Sequence, residues 1–179
     1  MNGKFQVRLR ALEMSDLDFL YEFENDNRLS DCTTHLMPLS RGAMKHFILK
    51  SLENDVFNLR QWRLVIEVCS SEHASDKSMS VGFVDLIDFE PAHRRAEVGI
   101  AILAPFRQKG IATQALQQFC HWASQQLSLL QLYAYVQTTN TASMHLFESV
   151  GFRLSTTLES WFIKGGKAQN AHLYQCVFP

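Results

Sequence analysis

The segment from residue 96 to residue 116 carries the most informative arrangement of residues in the chain. Its sequence, AEVGIAILAPFRQKGIATQAL, predicts a strand, a short loop with the pattern R-x-x-G-x-A, and the start of a helix. A free helix N-terminus presents unpaired N–H groups and the positive end of the helix dipole, so it can bind phosphate. Gly110 would let an anion approach the backbone, Ala112 keeps the first turn thin, and Arg107 and Lys109 add positive charge. Taken alone, the pattern favours an ordinary strand-to-helix loop with a flexible glycine.

Motifs for other kinds of chemistry are missing from the sequence. The loop lacks the G-x-x-x-x-G-K-[ST] pattern of a nucleotide P-loop and the three glycines of a dinucleotide fingerprint. The cysteines are Cys32, Cys69, Cys120 and Cys176, separated by dozens of residues, with no C-x-x-C pair and no histidine at zinc spacing. They are expected to be reduced thiols, and no metal site is predicted.

Length and composition favour one soluble globular domain over residues 1–179. With 46% hydrophobic and 20% charged residues, the chain is neither disordered nor collagen-like, and a net charge of −1 argues against a dedicated nucleic-acid binder. No apolar segment follows Met1, so a cytoplasmic location is expected. Residues 110–147 lack charged side chains but contain seven glutamines, which argues against a membrane span.

Charge is distributed unevenly along the chain. Residues 1–90 hold 10 basic and 15 acidic side chains, whereas residues 91–179 hold 7 basic and 3 acidic ones, so the second half is better suited to an anionic ligand. Seven acidic residues lie between Glu13 and Asp31, with Arg28 as the single base among them. This acidic stretch either attracts a cationic partner or is a solvated helix face and loop, and the second interpretation is favoured.

Periodicity predicts alternating strands and helices around these segments. The expected elements are, in chain order, a strand from Phe5, helices capped by Ser15 and Ser40, strands at 62–69, 81–89 and 95–103, a helix at 112–127, a strand at 132–138, a helix at 141–150 and a terminal hairpin turning at Gly165 and Gly166. A polar surface loop is expected at 70–78.

Several of these segments together resemble the GNAT acetyltransferase superfamily. The hairpin VGFVDLIDFEPAHRRAEVGI, the charge-free helix after R-x-x-G-x-A, the next strand and NTASMHLFESVGF follow the family's order, and SWFIKGGKAQNAHLYQ resembles its closing hairpin. The likeness is closest to the spermidine and polyamine acetyltransferase branch and extends more loosely to ribosomal-protein N-terminal acetyltransferases. The resemblance implies an α/β (α+β) fold with a mixed central sheet of about seven strands, flanked by about four helices and splayed around acetyl-CoA.

The resemblance also implies where acetyl-CoA binds. Its pantetheine arm would pair with the strand at 95–103 through backbone groups near Ile100, Ile102 and Leu103, and a bulge at 98–100 would direct an N–H group at the thioester carbonyl. The pyrophosphate would lie at the loop and the following helix turn, formed by Arg107, Gln108, Lys109, Gly110, Ile111, Ala112 and Thr113.

The short helix from Asn140 is expected to face the reacting sulfur. Asn140 and Ser143 match the family's N-x-x-S pattern, and both can also act as capping residues. The family commonly has a tyrosine four residues after that serine, as general acid for the thiolate, but this chain has Phe147, which the resemblance places against the cofactor near the sulfur. Ser143 is the nearby hydroxyl proposed to replace it.

An amine acceptor must lose a proton before it attacks, so the site needs a base. Glu97 is the first candidate and Asp85 on the neighbouring strand the second, although either could form an ion pair with Arg94 or Arg95 instead. His93 is expected to be structural or at the rim of the site. Tyr133 and Tyr135 are expected in the core, and Trp62, Trp122 and Trp161 are expected to serve packing.

Two functional hypotheses remain open at this stage. The favoured one is an acetyl-CoA-dependent N-acetyltransferase that acts on a primary amine by direct attack, and the other is a non-catalytic acyl-CoA-binding or regulatory module. The acceptor is a polyamine-like small molecule or a peptide N-terminus, and neither nucleic acid nor membrane is an expected partner. The oligomeric state is left open, and a homo-oligomer is compatible with the sequence.

Overall fold

Seven strands form one mixed sheet in the computed structural model, which describes residues 5–26, 37–70 and 78–179. The strands are β1 (Phe5–Ala11), β2 (Trp62–Ser70), β3 (Met79–Glu90), β4 (Arg95–Ile102), β5 (Gln131–Gln137), β6 (Arg153–Lys164) and β7 (Lys167–Val177). They lie in the order β1-β2-β3-β4-β5-β7-β6, and only β4 and β5 run parallel as neighbours. The predicted mixed sheet is therefore confirmed.

Five helices are present among the described residues. They are α1 (Leu17–Glu24), α2 (Arg41–Glu53), α3 (Val56–Leu59), α4 (Ile111–Gln126) and α5 (Thr141–Ser149). The sequence predicted four, because α3 has only one turn and shows no helical periodicity. None of the described helices is long and apolar enough to cross a bilayer.

The sequence predicted Ser15 and Ser40 as N-terminal capping residues, and the structure confirms only Ser40. Ser40 caps α2 as expected, because its hydroxyl accepts a hydrogen bond from the N–H of Ala43 at 3.1 Å. Ser15 does not cap α1 but lies inside a 3-10 turn, and Asp16 takes the capping position. The Asp16 carboxylate accepts the N–H of Glu13 at 2.9 Å and pairs with the guanidinium of Arg10, and these contacts fix the turn before α1.

The sheet buries apolar side chains on both faces. On one face, β4 and β5 pack against α4 through residues such as Val98, Leu132 and Phe119. On the other face, α1 and α2 cover Val65 and Phe83. Because side chains alternate along a strand, each functional residue can be assigned to one of these two faces, which we call the α4 face and the α1–α2 face.

The sequence predicted a turn and a bulge in the sheet, and the structure confirms only the turn. The terminal hairpin turns at Gly165 and Gly166 as expected, and both glycines have positive φ. The prediction of a bulge at 98–100 was wrong, because β4 pairs with β3 in continuous register from residue 97 to residue 102. The irregularity lies instead on β3 between Ile87 and Glu90, where Asp88 has a φ of 47°.

Some predictions fall outside the described residues. They concern Arg28 and Asp31 of the acidic stretch, the thiol of Cys32, and residues 71–77 of the expected surface loop.

Candidate active site

The central feature of the site is an opening between two neighbouring parallel strands. Residues 95–97 of β4 pair with residues 131–133 of β5, and no pairing continues beyond that point. From residue 98 onward, β4 therefore has β3 on one side and no strand on the other. An extended chain can pair with such an edge through main-chain hydrogen bonds.

The backbone of β4 determines which groups face this opening. The N–H of Leu103 donates to the carbonyl of Val81 at 2.9 Å, so alternate residues of β4 point their backbone groups toward β3. Ile100 and Ile102 consequently point theirs toward the opening, where the carbonyl of Ile102 already accepts the Arg107 Nε at 2.9 Å. Leu103 was predicted to pair with the pantetheine arm, but both of its backbone groups already have partners. Its N–H donates to Val81, and its carbonyl accepts the N–H of Phe106.

The start of α4 lies just beyond this strand. Gly110 is the N-terminal capping position with a φ of 75°, and no side chain caps the helix there. Gln108 also has a positive φ, of 60°. Ile111 is buried in the core and presents only its backbone to this end of the helix, while Ala112 and Thr113 are half-buried. The first turn of α4 thus has the form of an anion-binding helix terminus.

The two cations expected near an anion are anchored beside this turn. Arg107 is exposed and held by its hydrogen bond to Ile102. The ammonium group of Lys109 lies 5.6 Å from the ring centre of Phe5 and 5.4 Å from that of Phe106. Both charges flank the helix terminus, which favours negative charge at that end of the opening.

The start of α5 borders the continuation of β5. The side chain of Asn140 accepts the N–H of Ser143 at 3.1 Å and caps the helix. Ser143 is half-buried, and no hydrogen bond of its hydroxyl is recorded within the described part of the chain. Phe147 is 4% exposed and packs against Phe152 and Tyr174, with ring centres 5.0 and 6.4 Å away. Its position agrees with a packing role, and a contact with the cofactor stays a prediction.

Glu97 lies where the two strands begin to separate. It is half-buried on the α1–α2 face, beside Ile87 of β3 and Tyr133 of β5. Burial raises the pKa of Glu97 to about 7, and the nearby carboxylate of Asp88 adds to the shift. No ion pair is recorded for Glu97 within the described ranges, because Arg95 pairs with Glu90 at 2.9 Å and Arg94 donates to the carbonyl of Ser128. A carboxylate with this pKa can accept a proton near neutral pH.

Asp85, the second candidate base, is held in an ion pair. The guanidinium of Arg63 donates to its two carboxylate oxygens at 2.6 and 2.9 Å and also contacts Glu24. Burial lowers the pKa of Arg63, but the two carboxylates outweigh burial and leave the pKa above its ordinary value. Asp85 is therefore better suited to hold Arg63 than to accept a proton.

A cleft of about 470 Å³ opens on the same face. Arg63, Asp85 and Ile87 from the sheet line one side, and residues of α2 such as Met44 and Phe47 line the other. Since Ile87 lies beside Glu97, the cleft ends next to the candidate base. A small substrate in the cleft would have access to the opening between β4 and β5.

Comparison with known proteins decides between the hypotheses. The profile of the acetyltransferase (GNAT) domain family matches residues 6–153. The chain belongs to the GNAT acetyltransferase family. It is 27% identical to the spermidine N(1)-acetyltransferase of Escherichia coli (strain K12) over 183 residues, covering 99% of this chain and 89% of that protein. The corresponding enzyme of Vibrio cholerae is also 27% identical, over 89% of this chain and 87% of its own length.

A solved structure extends this agreement to three dimensions. The crystal structure of spermidine N-acetyltransferase from Vibrio cholerae in complex with CoA and spermine superposes with a TM-score of 0.82 at 25% identity. The alignment covers 96% of this chain and 95% of that one. As a GNAT enzyme, this chain is an acetyl-CoA-dependent N-acetyltransferase. The open edge of β4 and the uncapped start of α4 fit such a donor.

The GNAT sheet also places three aromatic residues that the sequence assigned to the core or to packing. Tyr133 and Tyr135 are half-buried on the α1–α2 face, with ring centres 5.7 Å apart. The ring of Trp161 lies 5.0 Å from that of Tyr135 and is 48% exposed, so it packs against Tyr135 but remains open to solvent. Trp62 and Trp122, in contrast, do pack against the core. Sequence alone does not reveal the position of Trp161, because no pattern marks the irregularity in β6 that turns it over the sheet.

Proposed function

We propose that this enzyme transfers the acetyl group of acetyl-CoA to a primary amine of a polyamine, by direct attack of the amine nitrogen. Glu97 is the general base of this proposal. The observation that carries it is the position of Glu97 at the apex of the opening, with a pKa near neutrality and no recorded ion pair among the described residues. The spermidine acetyltransferases of Escherichia coli and Vibrio cholerae, which match most of the chain, support a polyamine as the acceptor.

The role of Glu97 follows from the proton that the acceptor carries. A primary amine has a pKa of about 10 and is protonated at neutral pH, so its nitrogen has no free electron pair. Above pH 7 the Glu97 carboxylate is mostly ionised and can both attract the ammonium group and accept its proton. The neutral amine then lies beside the opening between β4 and β5.

Acetyl-CoA supplies a thioester whose thiol, with a pKa of about 8.5, is a fair leaving group near neutrality. The backbone of Ile100 and Ile102 would align the pantetheine arm along β4. The helix terminus at 108–113, flanked by Arg107 and Lys109, would hold the pyrophosphate.

Ser143 is the proposed proton donor for the departing sulfur. Asn140 fixes the start of α5 and so the position of Ser143, whose hydroxyl has no recorded partner within the described ranges. Phe147 cannot donate a proton. Transfer does not require an acid at position 147, because the thiolate is already a fair leaving group close to neutral pH.

The α1–α2 face would bind the acceptor. Several carboxylates of the acidic stretch are engaged within the chain, since Asp16 pairs with Arg10, Asp18 with Arg41 and Glu24 with Arg63. They are less available to a cation than the sequence suggested. Glu97 and the exposed Asp88 would therefore provide the attraction for the reacting ammonium group.

A panel of amines tests this proposal. CoA release from acetyl-CoA would be measured with spermidine, spermine, a monoamine such as n-butylamine and short peptides with free N-termini, against hydrolysis without amine. We expect spermidine or spermine to give the highest kcat/KM. A higher value for the peptides would overturn the polyamine assignment, and cofactor binding without amine-dependent release would leave only a binding module.

A further inference from the structure

The edge strand β6 contains an irregularity in its pairing with β7. Its register against β7 shifts between Leu158 and Phe162, and Ser160 has a φ of 52°, a conformation that a serine seldom adopts. The N–H of Ser160 donates to the side-chain oxygen of Asn170 on β7 at 2.9 Å, which stabilises this shape. Bulges of this kind redirect side chains.

The side chain that this bulge redirects is Trp161. β7 lies between β5 and β6, yet the Trp161 ring reaches Tyr135 on β5, with ring centres 5.0 Å apart and planes at 32°. The ring therefore crosses over β7 on the α1–α2 face. It remains 48% exposed, so one side packs against Tyr135 and the other faces solvent.

The aromatic rings continue directly from the candidate base. Tyr133 lies beside Glu97, the ring of Tyr135 follows at 5.7 Å, and that of Trp161 follows at 5.0 Å. Aromatic faces attract ammonium groups and pack against methylene chains, and Trp is the strongest of them. A carboxylate followed by such a row matches a molecule with several ammonium groups joined by short alkyl chains.

We propose that Tyr135 and Trp161 form an aromatic subsite for the part of the acceptor that lies beyond the reacting nitrogen. The ligand class is an alkylammonium chain with at least two positive charges, and the inference rests on the proposed function. Trp161 is a binding residue that distinguishes such chains from monoamines. Asn170 is a positioning residue, which acts by holding the bulge that places Trp161.

Two variants of Trp161 and two amines test this subsite. Trp161→Leu keeps apolar bulk but removes the aromatic face, and Trp161→Phe keeps a face. With spermidine, we expect the Leu variant to lose about 3- to 30-fold in kcat/KM, the range of a single cation–π contact, through a higher KM with kcat nearly unchanged. The Phe variant should stay close to wild type, and n-butylamine should react equally well with all three proteins.

The outcomes separate this inference from the proposed function. If the wild-type enzyme does not acetylate spermidine but acetylates other amines, both the subsite and the proposed function are overturned. Wild-type enzyme that acetylates spermidine, with an unchanged KM in Trp161→Leu or an equal loss for both amines, overturns the subsite alone. The KM for acetyl-CoA and the melting temperature should be unchanged in a folded variant.

Asn170 provides an independent test of the bulge. Asn170→Ala removes the acceptor for the Ser160 N–H. We expect this variant to raise the KM for spermidine, as Trp161→Leu does. Asn170→Asp keeps an oxygen acceptor and should restore the wild-type KM. A rise in KM for spermidine and n-butylamine alike would show a merely structural role and contradict the assignment.

Discussion

Glu97 and Tyr133 form the last residue pair at which β4 and β5 lie side by side. Beyond this pair the strands part, so the candidate base and the start of the aromatic row sit at the apex of the proposed cofactor opening. Burial raises the pKa of the Tyr133 hydroxyl to about 12, and the charge of Glu97 adds to the shift. The Tyr133 side chain is therefore uncharged at physiological pH.

Replacing Gly110 with aspartate should nearly abolish acetyl-CoA binding. The carboxylate would occupy the expected phosphate position and repel the pyrophosphate at the start of α4. Gly110→Asn is the matched control, because asparagine has a similar shape, tolerates positive φ and carries no charge. We expect calorimetry to show a far weaker affinity for the Asp variant than for the Asn variant. Equal affinities in the two folded proteins would remove the phosphate assignment.

Asp85→Asn should reduce stability without removing the base. The change weakens the contacts of Arg63, which keeps Glu24 as a partner, so we expect a loss of about 1–3 kcal/mol in unfolding free energy. Denaturant unfolding measures the loss. The pH profile of kcat/KM should retain its rising limb near pH 7, and disappearance of this limb would identify Asp85 as the base instead.

Phe147→Tyr should lower the melting temperature and leave kcat unchanged. The ring is 4% exposed between Phe152 and Tyr174, so an added hydroxyl would be buried among aromatic side chains at a cost of about 1–3 kcal/mol. Thermal unfolding and steady-state turnover would be measured on the same variant. A clear gain in kcat would contradict this result and place residue 147 beside the sulfur as a general acid.

Asp88→Asn should shift the acid limb of the pH profile to lower pH. The Asp88 carboxylate helps to raise the pKa of Glu97, so removing its charge makes Glu97 easier to ionise. Asparagine accepts the φ of 47° at this position, so the bulge in β3 should persist. An unchanged limb in kcat/KM would show that Asp88 does not act on the base.

The sequence predicted the sheet and the long helices because their periodicities are local. Glu97 and Gly110 were identified because they lie within a contiguous motif beside a recognisable strand and helix. The aromatic row was missed, since Trp161 reaches Tyr135 across β7 by a bulge that depends on the positive φ of Ser160. The bulge predicted at 98–100 was wrong because register depends on the pairing of two strands rather than on one stretch of sequence.

The most direct test of the account is the pH dependence of kcat/KM for spermidine in wild-type enzyme and in Glu97→Gln. Glutamine keeps the shape of the side chain but cannot accept the proton. For wild type we expect activity to rise with pH through about 7, as Glu97 loses its proton. The variant should lose about 10²- to 10⁴-fold in kcat and show no limb near pH 7, with unchanged affinity for acetyl-CoA. A variant with the same limb near pH 7 and activity close to wild type would contradict the assignment of Glu97 as the base.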